Sequence, residues 1–236
     1  MTLEQRVTHA RRVLAAVEKN HSPAVFASSL GAEDMVVLDL IARDGLGIET
    51  FTLDTGRLPR ETHALIKAVH ARYGIAIKRY TPWPDSVAAF VEEHGLDGFY
   101  DGVAQRQACC AVRKAEPLRR ALSRKRAWVT GLRRAQAPSG DGVADIALDP
   151  VHGIWKASPL ADWSEDDVWA YLRANAVPWN ALHDRGYRSI GCEPCTRAAK
   201  PGEDARAGRW WWERDSAAKE CGLHAIPVRV LELEHG

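Results

Sequence analysis

Apolar residues recur at a helical spacing through Leu3, Val7, Val13, Leu14 and Val17, which predicts an amphipathic helix over 3–19 that Pro23 ends. The pattern then alternates. An apolar run at 24–27, a helical segment at 33–43, a β-rich run at 48–53, a helix at 60–73 and a third run at 75–80 follow one another across short polar joints. Strands separated by helices of about ten to fifteen residues are joined by βαβ crossovers, so the spacing predicts a parallel sheet. A fourth strand is expected at 127–130, after a helical stretch that Pro117 divides in two. Beyond residue 140 the runs shorten, to 143–148 and 154–157, and Ser164-Glu165-Asp166-Asp167 then has the pattern of a helix-starting capping box.

Length and composition narrow the class. A chain of 236 residues, 46% hydrophobic and 27% charged, reads as one large domain or one domain with an appendage, which argues against disorder, collagen and coiled coil. Lys plus Arg 32 against Asp plus Glu 31 leaves a formal charge of +1, so neither nucleic acid nor a membrane is expected as a partner, and any anion site must be a local cluster. The apolar stretch at 13–17 is too short for a signal or membrane segment, and a cytoplasmic location is expected. Five cysteines in a cytosolic chain point to metal binding or thiol chemistry.

In an open parallel sheet, ligands sit outside the carboxyl ends of the strands. Three polar, glycine-containing loops fall there: Ser28-Ser29-Leu30-Gly31-Ala32-Glu33-Asp34, Leu53-Asp54-Thr55-Gly56-Arg57 and Thr130-Gly131-Leu132-Arg133-Arg134. The first alone would pass as an ordinary helix cap. Three at successive strand ends suggest an anion site.

Cys109 and Cys110 are adjacent, and Cys192 and Cys195 form a Cys-Glu-Pro-Cys pair, so four soft thiolates are available for zinc or an iron-sulfur cluster. A vicinal pair argues modestly for the cluster; two buried free thiols and a thioredoxin-like redox pair are the alternatives. Cys221 lies between Lys219 and His224, which can favour its thiolate. Arg206 and Arg209, one turn apart if helical, could clamp a sulfate or phosphate, and Lys114 follows Cys110 by one helical turn. Trp210 to Trp212 could equally form a core aromatic cluster. Trp83, Trp128, Trp155, Trp163, Trp169 and Trp179 are assigned to packing.

Taken together these residues resemble the adenylyl-sulfate (APS) reductases of assimilatory sulfate reduction, within the wider phosphoadenylyl-sulfate reductase group. The resemblance rests on the three strand-end loops, Cys109-Cys110-Ala111-Val112-Arg113-Lys114, Gly191-Cys192-Glu193-Pro194-Cys195, the Arg206 to Glu213 stretch and Lys219-Glu220-Cys221-Gly222-Leu223-His224. It implies an α/β, adenine nucleotide α-hydrolase-like (PP-loop) fold, with a nucleotide- and cluster-binding domain over 1–205 and a C-terminal active-site tail over 206–236.

It further implies a [4Fe-4S] cluster on Cys109, Cys110, Cys192 and Cys195, with Cys221 as the nucleophile. Ser28, Ser29, Leu30 and Gly31 become the phosphate loop, and Leu53, Asp54, Thr55 and Gly56 an adenosine contact. Lys114, Arg133, Arg206, Arg209 and His224 become the anion-binding set. The implied reaction reduces adenylyl sulfate to sulfite and AMP through an S-sulfocysteine released by thioredoxin or a similar dithiol, and homo-oligomer formation is left open. Two departures stand out: Ser29 and Leu30 replace the glycines of the related pyrophosphatase loop, and 225–236 extends past the usual tail end. Rival readings are a PAPS or dual-specificity reductase, an iron-sulfur tRNA-thiolating enzyme and a zinc-stabilised nucleotide-binding protein. The acidic residues of the first loop are expected to disfavour the additional phosphate of PAPS if they face it.

Overall fold

The computed structural model describes residues 1–136 and 143–213; Cys221, His224 and the 225–236 extension lie outside them. Seven α-helices are labelled among these residues: α1 (Leu3–His21), α2 (Ala32–Arg43), α3 (Arg60–Tyr73), α4 (Pro84–His94), α5 (Val103–Cys110), α6 (Glu116–Leu122) and α7 (Glu165–Ala174). The strands are β1 (Ala24–Ala27), β2 (Glu49–Leu53), β3 (Lys78–Tyr80), β4 (Ala127–Val129), β5 (Ile146–Asp149) and β6 (Ile154–Ala157). They form one sheet in the order β3-β2-β1-β4-β6-β5, parallel except for β5, which runs antiparallel to β6. The α/β parallel-sheet expectation is what the structure has.

Burial follows position in the sheet. All three residues of β4 and the first three of β1 are buried, while edge strand β3 carries Lys78 and Arg79 exposed, so the central strands read as unbroken apolar runs. Helix α2 begins at Gly31 without a side-chain cap bond, yet Met35, Val36, Val37, Leu38, Leu40 and Ile41 are all buried. At roughly 1.5 to 3 kcal/mol for each large apolar side chain, packing rather than capping holds this helix. The capping box at Ser164 is present, with Asp167 closing it and α7 following. Among the described residues no helix is long and apolar enough to cross a membrane.

Three sequence expectations change. The third apolar run contributes a strand only at 78–80, and α4 falls where the sequence pattern assigns no element. Pro117 does not divide the 103–122 helix: α5 passes through a π-helical turn, Ala111–Ala115, straight into α6. The Glu116 amide reaches back to the Ala111 carbonyl, so the ladder has already changed register where Pro117 lacks its N–H. Among the tryptophans, Trp128 and Trp163 are buried, whereas Trp83 and Trp155 are exposed, Trp83 lying under the Arg120 guanidinium and Trp155 against His21.

The helical layer is tied together by one carboxylate. Asp39 is fully buried, accepts hydrogen bonds from Tyr73 and Tyr171 at 2.7 Å each, and pairs with Arg43 at 2.8 Å, linking α2, α3 and α7. Burial and this carboxylate push both phenols well above the usual tyrosine range. Asp39→Ala leaves the buried Tyr171 hydroxyl and the half-buried Tyr73 hydroxyl without this acceptor and should cost about 3 kcal/mol in urea unfolding. A loss below about 1 kcal/mol would remove Asp39 from this role.

Candidate active site

The chain leaves β1 toward β2 on one side while β4 lies on the other, so the loops after β1 and β4 diverge at a topological switch point, where such sheets bind ligands. Ser28 is buried; its amide extends the ladder to the Phe51 carbonyl at 2.8 Å and its hydroxyl accepts the Leu30 amide at 3.2 Å. Leu30 adopts φ 63°, which buries its side chain completely. Gly31 opens α2 without a side-chain cap, which leaves the first-turn amides uncapped by any side chain of Gly31.

Ser29 is committed inside the loop, since its amide and hydroxyl both donate to Asp34, at 2.6 and 2.7 Å. Gly131 packs so closely on Asp34 that a Cβ there would overlap the carboxylate, which explains the glycine at the end of β4. Arg133 stands at the expected edge, but it is buried, pairs with Glu33 at 2.8 Å and donates to the Trp163 carbonyl. The two acidic residues of the first loop are thus each engaged within the protein. Their geometry gives no support to the expectation that they face a substrate phosphate.

Burial raises the Asp34 carboxyl to about 6, against the hydrogen bonds from Ser29 that lower it. Its folded value lies above its unfolded one, so its contribution to stability is fully present below about pH 4 and lost as pH rises through about 6. The shift corresponds to about 3 kcal/mol. Asp34→Asn should flatten the fall in unfolding free energy between about pH 4 and 6, measured in urea; an unchanged slope would mean that another group titrates there.

The turn after β2 reaches the cysteines directly. Asp54 and Thr55 are buried, Gly56 turns at φ 72°, and the Thr55 hydroxyl lies 3.2 Å from Cys192 Sγ. Arg113, on the π-helical turn, donates to the Thr55 carbonyl at 2.8 Å, and the Glu193 amide donates to the Arg57 carbonyl at 2.8 Å. Cys109 and Cys110 end α5, and Cys192 and Cys195 flank a short 3-10 turn. All four thiols are buried and line one pocket with Arg57, Arg106, Arg113 and Lys114. Two segments more than eighty residues apart therefore meet beside the candidate adenosine loop.

These thiols are not equivalent. Burial pushes Cys192 up, but Lys114, the Thr55 hydroxyl, Arg209 and Arg113 outweigh it and bring the thiol below its ordinary value. Burial, and then the charge of Cys192, push Cys195 up to about 12, and burial followed by Cys110 raises Cys109. Once one thiolate forms, the others resist ionising unless a cationic centre joins them. Among the described residues no three His, Cys, Asp or Glu side chains converge on a single-ion position.

Arg206 and Arg209 lie in a turn rather than on the expected helix, with Arg209 bridged to Thr196 and its guanidinium buried. Both still face one object: Trp210, with Arg209 Cζ 4.9 Å and Arg206 Cζ 5.9 Å from the ring centroid. Trp210 is buried at φ 43°, its amide donates to the Cys195 carbonyl at 3.1 Å, and its side chain packs with Phe90, Phe99 and the cysteines. Gly191 lets the Arg209 guanidinium lie close, because a Cβ there would stand 2.5 Å from Arg209 Cζ and displace it. Sequence reasoning missed Arg106, Arg113 and Glu213; only the Cys-Cys helix spacing, one turn from Arg106 and Arg113, hinted at the first two.

Fold and site together define an α/β protein with a nucleotide-type switch point opening onto a cationic, cysteine-lined pocket. The chain belongs to the phosphoadenosine phosphosulfate reductase domain family, whose model matches residues 23–198. It is 55% identical over 223 residues to the adenosine 5'-phosphosulfate reductase of Allochromatium vinosum, covering 94% of this chain and 87% of that one. Its identity to the protein of the same name from Burkholderia cepacia is 52%, covering 97% and 91%. The crystal structure of phosphoadenylyl-sulfate (PAPS) reductase from Candida auris, a phosphate complex, is similar with a TM-score of 0.69 and 27% identity, covering 83% of this chain and 96% of that one.

Proposed function

We propose that this protein is an oxidoreductase of sulfate assimilation that reduces adenylyl sulfate to sulfite and AMP, using a thioredoxin-like dithiol. The observation that carries the reading is the Thr55 contact to Cys192, which makes the strand-end nucleotide site and the cysteine pocket one place. The start of α2, with Ser28, Leu30 and Gly31, suits the phosphate, and Leu53 to Gly56 suit the adenosine. Ser29 serves by shaping that loop through Asp34. Lys114, Arg206 and Arg209 offset charge on the sulfate and the departing phosphate. Arg133, neutralised by Glu33, supports the loop instead.

Cys221 acts as the nucleophile. Its thiolate attacks the sulfate sulfur, an S–S bond forms, and the S–O bond to the phosphate breaks with its electron pair leaving on AMP. A dithiol then attacks Cys221 Sγ, and sulfite leaves with the S–S pair. The second thiol of the dithiol displaces Cys221 from the mixed disulfide, so two electrons pass from the reductant to the sulfur that leaves as sulfite. His224 and Lys219 accompany Cys221 in sequence and help keep it ionised.

The four buried thiols fit a [4Fe-4S] cluster by number, softness and the cations around them. When bound to Cys109, Cys110, Cys192 and Cys195, such a cluster supplies a fixed charge centre that organises the pocket. The electrons of the reaction come from thiols.

Identities of 55% and 52% to proteins named for adenosine 5'-phosphosulfate, against 27% to a PAPS reductase, favour the unphosphorylated nucleotide. Turnover of both substrates with thioredoxin, assayed side by side, should give a kcat/KM for APS higher by roughly tenfold or more, since rejecting one buried phosphate is worth at least that. Equal or better turnover of PAPS would replace this reading with a dual-specificity reductase.

A further inference from the structure

The aromatic stretch after Arg209 holds a pair that the reaction above does not use. Arg106 lies on α5, three residues before Cys109, and its side chain is completely buried. Its Nε meets Glu213 Oε1 at 2.5 Å, and the Glu213 side chain is itself only 4% exposed. The same guanidinium stacks 4.5 Å over the ring of Trp210, and the Glu213 amide donates to the Trp210 carbonyl at 2.9 Å. One arginine thus grips both ends of the 210–213 turn and ties it to the helix that carries two of the cysteines.

A buried ion pair contributes little net stability, because desolvating two charges offsets their attraction, and apolar residues of similar size often serve a fold as well. What such a pair supplies is register. Arg106 and Glu213 stand 107 positions apart, and Cys221 follows Glu213 by eight, so the pair fixes the last described point of the chain before the nucleophile. A tethered group reacts at an effective concentration set by where its tether begins and how long it is.

We infer that Arg106 and Glu213 form a positioning pair that anchors the start of the Cys221 segment beside the cysteine pocket. The inference rests on the reading of Cys221 as the nucleophile. Without the pair, the holds that remain, Trp212 against Phe99 and Tyr100 and the Trp210 amide on the Cys195 carbonyl, lie earlier in the chain, so the tether begins farther from Cys221.

The test compares the wild-type protein with Glu213→Gln and with Arg106→Met combined with Glu213→Leu, the latter keeping the buried volume without the charges. Three quantities are measured: APS affinity by calorimetry, the rate of S-sulfo adduct formation in a single turnover by quenched intact-mass analysis, and trypsin cleavage after Arg209. Both variants should bind APS within about threefold of wild type, form the adduct at least roughly fivefold more slowly, and be cut after Arg209 faster. A kcat that falls while KM holds carries the same meaning in steady state. An adduct rate within about twofold of wild type in the folded double variant would overturn the anchor, as would an APS affinity that falls in step with the rate. A wild-type protein that forms no adduct on Cys221 refutes the nucleophile instead, and the protease result then decides whether the pair holds the turn.

Discussion

Incubated with APS and no reductant, the protein should release one AMP per active site and stop, carrying one added SO3 group on the peptide that contains Cys221. Addition of a dithiol should then release sulfite. The arithmetic behind this is short: four of the five cysteines line one buried pocket, so a single thiol is left to attack sulfur and none to resolve the product. Cys221→Ser should lose the adduct and at least about three orders of magnitude in turnover, while binding APS normally, because the loops after β1 and β2 are untouched. Normal turnover by that variant, or an adduct mapped to Cys109 or Cys110, would show that another sulfur is the nucleophile.

Cys192→Ser is the second large effect. The anaerobically purified wild-type protein should show a broad absorbance band near about 400 nm and about four iron atoms per chain, and the variant should lose most of both. Its thiol is the one that Lys114, Thr55, Arg113 and Arg209 help to ionise against the push of burial, so a serine there removes the ligand best prepared to donate. Stability should fall with the iron, since the remaining three sulfurs stay buried beside Phe90, Phe99 and Trp210 without a shared centre. Stoichiometric zinc without a visible band in the wild type would replace the cluster with a structural metal. Full iron content in the variant would remove Cys192 from the ligand set.

The two experiments divide the site along its construction. Cys192 belongs to the body, where the turn after β2 and the π-helical turn converge on it through Thr55 and Arg113. Cys221 follows Glu213 by eight positions in the sequence. The Arg106 to Glu213 pair stands where the described residues end.

What the order of residues determines by itself is local. The alternation of apolar runs and helical periods places β1, β2, β4, α1, α2 and α3 within a few residues, because each element's burial pattern is written into its own spacing. The capping box at Ser164 is legible for the same reason: its donors and acceptors lie three residues apart. The spacing of the cysteines shows that four thiols exist in two close pairs. It does not show that the pairs meet.

Tertiary structure alone decides which charges are spent and which remain. Only the fold shows that Arg133 pairs with Glu33, one hundred positions away, and that the Ser29 amide and hydroxyl both donate to Asp34. Beyond its helical spacing from Cys109 and Cys110, nothing in the sequence marks Arg106 as buried, since its partner Glu213 lies 107 positions away. Pro117 fails as a breaker because a π-helical turn has already shifted the hydrogen-bond register where it stands. A charge or a hydrogen bond is assigned by whichever partner comes within about 3 Å. In a sheet built by crossovers that partner is usually distant in sequence.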